Sequence, residues 1–166
     1  DKLRENGIPV VITSGQGGNT TVMRRMGAMV DTMPVDLKIT EASGDPARYS
    51  AIAFFGFKVD EYVMGPKGAN DYTVPQAARD LILAMRKDGK PITAICMGQR
   101  VLFVHNALRD KSAAKSDFVL DRFGGMATEK SITWKNEAVV VDGKIITARG
   151  PEDTHAFADA LTKAVS

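Results

Sequence analysis

The run PITAICMGQRVLF, residues 91–103, constrains this chain more than any other segment. Pro91 to Ile95 is a short apolar stretch that leads without a break into Cys96-Met97-Gly98, and helical spacing resumes at Val101, Leu102, Val104, His105 and Leu108. A continuous apolar run bounded by a turn marks a strand buried on both faces, as parallel sheets require. Gly98 lets the chain enter a helix at once, without a side-chain clash. Such a strand needs other strands beside it and helices above and below it.

The rest of the chain supplies them. Residues 51–55, Ala-Ile-Ala-Phe-Phe, form a second apolar run that stops at Gly56. Val74, Ala77, Ala78, Leu81, Ile82 and Met85 trace one face of a helix over 74–87, closed by Asp88-Gly89. Residues 138–141 and 144–148 flank Asp142-Gly143, a strong hairpin signal. Arg149-Gly150-Pro151 ends that hairpin, and Phe157, Ala160, Leu161 and Val165 lie on the inner side of a last helix. Residues 109–137 read as a polar connection.

Toward the beginning, residues 1–6 read as the last turns of a helix, with Gly7 suited to a left-handed cap. Residues 8–14 are apolar and rich in β-branched side chains and read as a buried strand. Gly15-Gln16-Gly17-Gly18 follows as a flexible loop lining the cleft; the full dinucleotide fingerprint is absent. Residues 20–25 and 28–33 flank Met26-Gly27 as a hairpin, with a short helix as the alternative. Met23, Met26, Met29 and Met33 form a core patch or an adaptable contact surface. No repeat, low-complexity tract or linker divides the 166 residues, which are expected to make one domain, 1–166. Strands alternating with helices predict an α/β fold with a mainly parallel sheet, helices on both faces and an added β-hairpin.

Composition narrows the function. A net charge of +2, with charges scattered along the chain, argues for neither a nucleic acid nor an acidic membrane as partner. No apolar run approaches the roughly 20 residues of a membrane span, and no signal peptide is visible. The lone cysteine excludes an internal disulfide and favours a reducing, cytoplasmic setting. The sequon Asn19-Thr20-Thr21 is of a kind that occurs often by chance.

Cys96 carries the chemistry. At the carboxyl end of a parallel strand it stands where open α/β sheets place their sites. Just before a helix it faces the positive end, an arrangement expected to lower the thiol's pKa. The thiolate would then attack a carbonyl or be oxidised; alternatively the residue is a small buried hydrophobe. His105 lies on the inner stripe of the elbow helix and reads as a core or interface histidine. His155, beside Glu152 and Asp153, reads as a surface residue or as a general base. No grouping of His, Cys, Asp and Glu has metal-ligand spacing, so neither metal nor other cofactor is expected.

AICMG, residues 94–98, resembles the nucleophile-elbow motif of the ThiJ/PfpI superfamily, commonly written AICHGP or AICAGP. VVVDGKIITARGPEDTHAFADAL, residues 139–161, resembles that family's closing hairpin, Arg-Gly-Pro turn and final helix, and YSAIAFFGF, residues 49–57, its strand before a Pro-Gly-Gly loop. The resemblance implies a flavodoxin-like three-layer sandwich, usually oligomeric, in a family of glyoxalases, deglycases, amidases, hydratases, chaperones and oxidation sensors. It implies Cys96 as nucleophile or redox cysteine, and oxyanion-hole positions at the Met97 N–H and near Gly56. The histidine that many members place after the cysteine is Met97 here, and the one drawn from the next loop is Ser116 or Asp117. The Pro-Gly-Gly loop reads Phe55-Gly56-Phe57, and the first strand with its glutamate has no counterpart. Either the chain is a fragment of a longer polypeptide, which is the favoured expectation, or another segment fills the vacant sheet position.

Two functions follow as expectations. The first is a cysteine-dependent enzyme acting on a small carbonyl compound or amide, with Cys96 attacking, Met97 and Gly56 stabilising the oxyanion, and His155 or Asp117 moving protons. The second is a redox-responsive or chaperone-like binding domain, or an accessory domain of a larger protein. Either is expected to form a homo-oligomer.

Overall fold

A computed structural model describes residues 2–15, 18–25, 28–56, 59, 61–64 and 72–166. The elements run α1 (Lys2–Glu5), β1 (Thr13–Ser14), β2 (Asn19–Arg25), β3 (Ala28–Pro34), β4 (Leu37–Lys38), α2 (Ile39–Gly44), β5 (Ile52–Phe54), α3 (Glu61–Met64), α4 (Thr73–Lys87) and β6 (Ile92–Ile95). They continue with α5 (Gln99–Val104), β7 (Ser112–Ala114), α6 (Asp117–Glu129), β8 (Thr133–Lys135), β9 (Val139–Asp142), β10 (Ile145–Ala148) and α7 (Thr154–Val165). Short 3-10 turns cover Cys96–Gly98 and Pro151–Asp153.

The central sheet has the order β5-β6-β10-β9. β5 and β10 lie parallel to β6, in registers that pair Ile52 with Ile92 and Ala148 with Ile95, and β9 closes the edge antiparallel to β10. Smaller pairs flank it: β1 with β4 and β7 with β8, both parallel, and the β2–β3 hairpin. The strand alternative for residues 20–33 is therefore the one observed; its turn, like Gln16-Gly17 and Phe57, lies outside the described residues, and so do the side chains of Met23, Met26 and Met29.

Alternation along β6 and β10 builds two cores. Ile92, Ala94 and Ile145 face a large cluster with α4 and α5, including Leu81, Ile82, Met85, Leu102 and Phe103. Ile95, Ile146 and Ala148 face the other way, onto Phe157 of α7. Helices on both faces of a mainly parallel sheet make this an α/β, flavodoxin-like sandwich. The apolar stripe of α4 is buried throughout, and its large side chains contribute about 2 kcal/mol each. Gly89 at φ +64 ends the helix, with Lys90 N donating to Met85 O and Gly89 N to Arg86 O. The buried hydroxyl of Thr93 donates to Ile52 O, and that of Thr147 accepts from Ala114 N.

Two segments differ from the sequence-based expectation. Only Thr13–Ser14 of residues 8–14 forms a strand. Pro9 lacks a donor, Ile12 N donates to the Asp36 carboxylate at 2.7 Å, and Ile12 O accepts from Asp36 N, so a side chain replaces part of the ladder. Residues 109–137 are not a mere connection, because they hold β7, α6 and β8. Gly124-Gly125 lowers helix propensity by about 1 kcal/mol per residue, and the burial of Val119 against the core holds α6 in place. Among the described residues, no helix is long and apolar enough to cross a membrane.

Candidate active site

Three strand ends converge at Cys96. β6 delivers it, and the backbone there turns to φ +57, the left-handed region that costs a residue with a Cβ about 1 kcal/mol. The conformation is held from both sides. A Cβ on Gly98 would lie 2.1 Å from Phe54 O, so only glycine lets the elbow press against the end of β5. A Cβ on Gly56 would lie 2.8 Å from Met97 N and 3.2 Å from Cys96 Sγ, which sets the Gly56 backbone directly against the thiol. Gln99, fully buried, donates from Nε2 to Ala148 O at 2.8 Å and ties the elbow to the end of β10. Its Oε1 has no partner among the described residues.

Burial pushes the Cys96 thiol up; the Met97 N–H donating to sulfur opposes this, a nearby Glu152 carboxylate adds to it, and Arg100 offsets part of it. The lowered pKa expected from the helix terminus is thus reversed: desolvation of a half-buried thiolate outweighs the single amide pointing at it. At neutral pH the sulfur is a protonated thiol bonded to the Met97 amide.

The turn after β10 forms the third wall. Asp153 N donates to Gly150 O, and Arg149 forms a two-pronged pair with Asp153, Nε–Oδ2 3.0 Å and Nη2–Oδ1 3.3 Å. Glu152 folds back over Gly150, its carboxylate oxygens 2.8 and 2.9 Å from where a Gly150 Cβ would stand. One turn further, Phe157 packs edge-on against Phe55 with ring centroids 6.0 Å apart, and Cys96 packs against the cluster that contains Phe157.

The structure therefore brings Cys96, Met97 and Gly56 together. It does not bring Asp117 or His155 to them. The Asp117 side chain is 79% exposed and paired with Lys115 at 3.6 Å. His155 is exposed on the first turn of α7; Phe157 faces the elbow, and a step of two residues turns a helix by about 200°, so His155 looks away. Ser116 is buried just before α6, and its hydroxyl has no partner among the described residues. His105 is half-buried, with Nε2 3.0 Å from Tyr62 O and burial lowering its pKa, as befits a core histidine. No group able to hold a metal occurs among the described residues. Gln99 is a residue that sequence reasoning passed over: it follows the elbow directly, but only the β6–β10 register sets Ala148 O where its amide can donate.

A model of the DJ-1/PfpI family matches residues 1–164. A deglycase of Thermococcus kodakarensis is 26% identical over 98% of this chain and 86% of its own length. Among solved structures, a ThiJ/PfpI domain protein from Brachyspira murdochii superimposes with a TM-score of 0.76 at 19% identity, covering 98% of this chain and 83% of that one. A two-domain protein from Anabaena variabilis, with DJ-1/ThiJ/PfpI-like and ferritin-like domains, gives 0.73 at 24% identity. The match spans 98% of this chain but 41% of that longer one.

Proposed function

Because this chain belongs to the DJ-1/PfpI family, we propose that it is a cysteine-dependent enzyme acting on a small carbonyl compound or amide, of the glyoxalase, deglycase, amidase or hydratase type. The deglycase relative supports the carbonyl side of this reading. One observation carries it: Cys96 is held at φ +57 on a strand end, with an amide donor on its sulfur and a glycine backbone against it. A residue is kept in a strained conformation where the surroundings over-determine it, and such strain concentrates at reactive sites.

In the reaction, the Cys96 S–H bond breaks with its proton passing to water, and Sγ bonds to the carbonyl carbon. The π pair of the C=O moves onto oxygen, and that oxygen takes a proton back from water. The Met97 N–H, now bonded to sulfur, is free to turn to that oxygen as charge develops there, while Gly56 keeps the approach open. A homo-oligomer in a cytoplasmic setting completes the reading, and sedimentation that gives a monomer at every concentration would remove that part.

The test is turnover of methylglyoxal and, in parallel, of an amide such as a p-nitroanilide, by the protein and its Cys96→Ala and Cys96→Ser variants. Loss of at least about 10³-fold is expected in both variants; equal rates would sink the nucleophile. A second reading is favoured by Phe55, 55% exposed beside the elbow, and by the protonated resting thiol. These suit a redox-responsive or chaperone-like binding domain, whose suppression of client aggregation would survive in Cys96→Ala.

A further inference from the structure

We propose that the cleft between α4 and the end of α5 binds a small molecule with two anionic groups on a short carbon chain, of the dicarboxylate kind. Arg79 holds one group, and Arg86 with the Asn106 amide holds the other. The elbow opens α5 and this cleft lies at its opposite end, so the proposal stands whether or not Cys96 is a nucleophile.

The cleft encloses about 460 Å³ and is lined by Arg79, Leu83, Arg86, Val104, His105 and Asn106. That volume falls in the range of small-molecule sites, roughly 300–1,000 Å³. Arg79, Leu83 and Arg86 share one face of α4, because they stand at i, i+4 and i+7. The two arginines are two helical turns apart, about 10 Å along the axis. Between them stands Leu83, 45% exposed, while half-buried Val104 and His105 belong to the end of α5. Two cationic ends with an apolar middle match a ligand charged at both ends.

The polar groups that the cleft leaves open are mostly donors. Arg86 Nη2 donates to Asn106 O at 3.2 Å, which anchors the guanidinium and leaves its other N–H groups open. Asn106 Oδ1 accepts from Lys130 Nζ at 2.8 Å, so the amide is oriented with Nδ2 as the unused donor. His105 Nε2 is engaged with Tyr62 O at 3.0 Å, which fixes the ring in place. Among the described residues, the Arg79 guanidinium makes no hydrogen bond or ion pair, and no carboxylate lines the cleft. The acidic side chains of this region are committed elsewhere: Asp80 accepts from Gln76 at 2.7 Å, and Asp88 pairs with Lys90 at 3.5 Å. Nor does the carboxyl end of α5 present bare carbonyls. Val101 O accepts from His105 N, Leu102 O from Ala107 N, and Phe103 O from Asn106 N and Lys130 Nζ. A planar guanidinium fork matches a carboxylate with two parallel hydrogen bonds, which makes Arg79 and Arg86 suited to this class of ligand.

The test is calorimetric titration of the parent protein with malonate, glutarate and adipate at ~0.1 M ionic strength, where scattered surface charge is screened. At least one of the three should bind saturably at one site. Butyrate and inorganic phosphate, each a single anionic group, should bind about 10-fold more weakly or worse, since a charge-assisted hydrogen bond is lost. Arg79→Gln and Arg86→Gln should each weaken the dicarboxylate by about 10-fold or more. Lys87→Gln removes an exposed cation from the same helix outside the cleft and should leave binding unchanged. Leu83→Glu puts a carboxylate between the two arginines and should abolish binding. Urea midpoints for Arg79→Gln and Leu83→Glu should stay at the parent value, because both side chains are exposed and neither is engaged in a described bond. Absence of saturable binding up to ~10 mM with all three dicarboxylates would overturn the proposal. So would phosphate binding as tight as the best dicarboxylate, or equal weakening by Lys87→Gln, which would mean attraction to surface charge alone.

Discussion

At the scale of single residues, the site depends on atoms that are absent. Gly98 and Gly56 let three backbone segments meet around one sulfur; a methyl group on either would collide with Phe54 O or Met97 N. The same closeness removes water from Cys96, and this explains the direction of its titration. Burial raises the thiol above its ordinary value, and the Met97 amide recovers only part of the cost. Alkylation of the native protein is therefore expected to rise at a higher pH than in the denatured control, measured by intact mass against pH. A native profile lying below the denatured one would contradict the burial argument. The linked stability has a definite sign. A raised folded pKa contributes fully below the unfolded value of about 8.5 and is lost as pH climbs through the folded one.

At the scale of elements, Asp142 couples two sheets that share no ladder. It ends β9, and its carboxylate accepts from Ser112 N at 2.8 Å and from Lys111 Nζ at 3.3 Å, fastening β7 to the β9–β10 hairpin. The Ser112 amide, then Lys111, hold this carboxyl below the usual carboxylate range. Asp142→Asn should cost about 1 kcal/mol at neutral pH, a modest figure because the side chain is 30% exposed and solvent screens it. Since the folded pKa is depressed, the contribution is present above about pH 4 and lost as pH falls through the folded value. Urea midpoints of parent and variant should converge at acid pH; a constant gap would mean that the charge is irrelevant. Lys130 works similarly at the end of α5, donating to Phe103 O at 2.6 Å and to Asn106 Oδ1 at 2.8 Å.

At the scale of the whole molecule, His105 sets how the fold responds to mild acid. Wedged between α5 and α3, it is kept neutral by burial, with Arg79 and Lys130 opposing its charge and the Tyr62 carbonyl favouring it. Its folded pKa lies below the unfolded value of about 6.5, so stability is full above that pH and declines as pH falls through the folded value. The slope of urea midpoint against pH between 7 and 5 should flatten in His105→Gln; an unchanged slope would assign it to other groups.

Much of this fold was legible in local pattern, because its clearest signals need no partner to be read. The strand of residues 92–95 running into a Cys-Met-Gly turn, the apolar stripe of α4 and the Asp-Gly hairpin all depend on neighbours within a few positions. Long-range decisions were not legible. Residues 8–12 looked like a strand until Asp36 supplied a side-chain acceptor in place of a ladder, and α6 was hidden by Gly124-Gly125 until the core buried Val119. The sequence by itself determined that one cysteine stands at a strand-to-helix turn in an α/β fold, since hydrophobic period and a glycine are local properties. Only the tertiary structure decided that Gly56 and Met97 reach its sulfur, that His155 and Asp117 do not, and that burial keeps the thiol protonated. Register, helix phase and desolvation come into being only when distant segments pack.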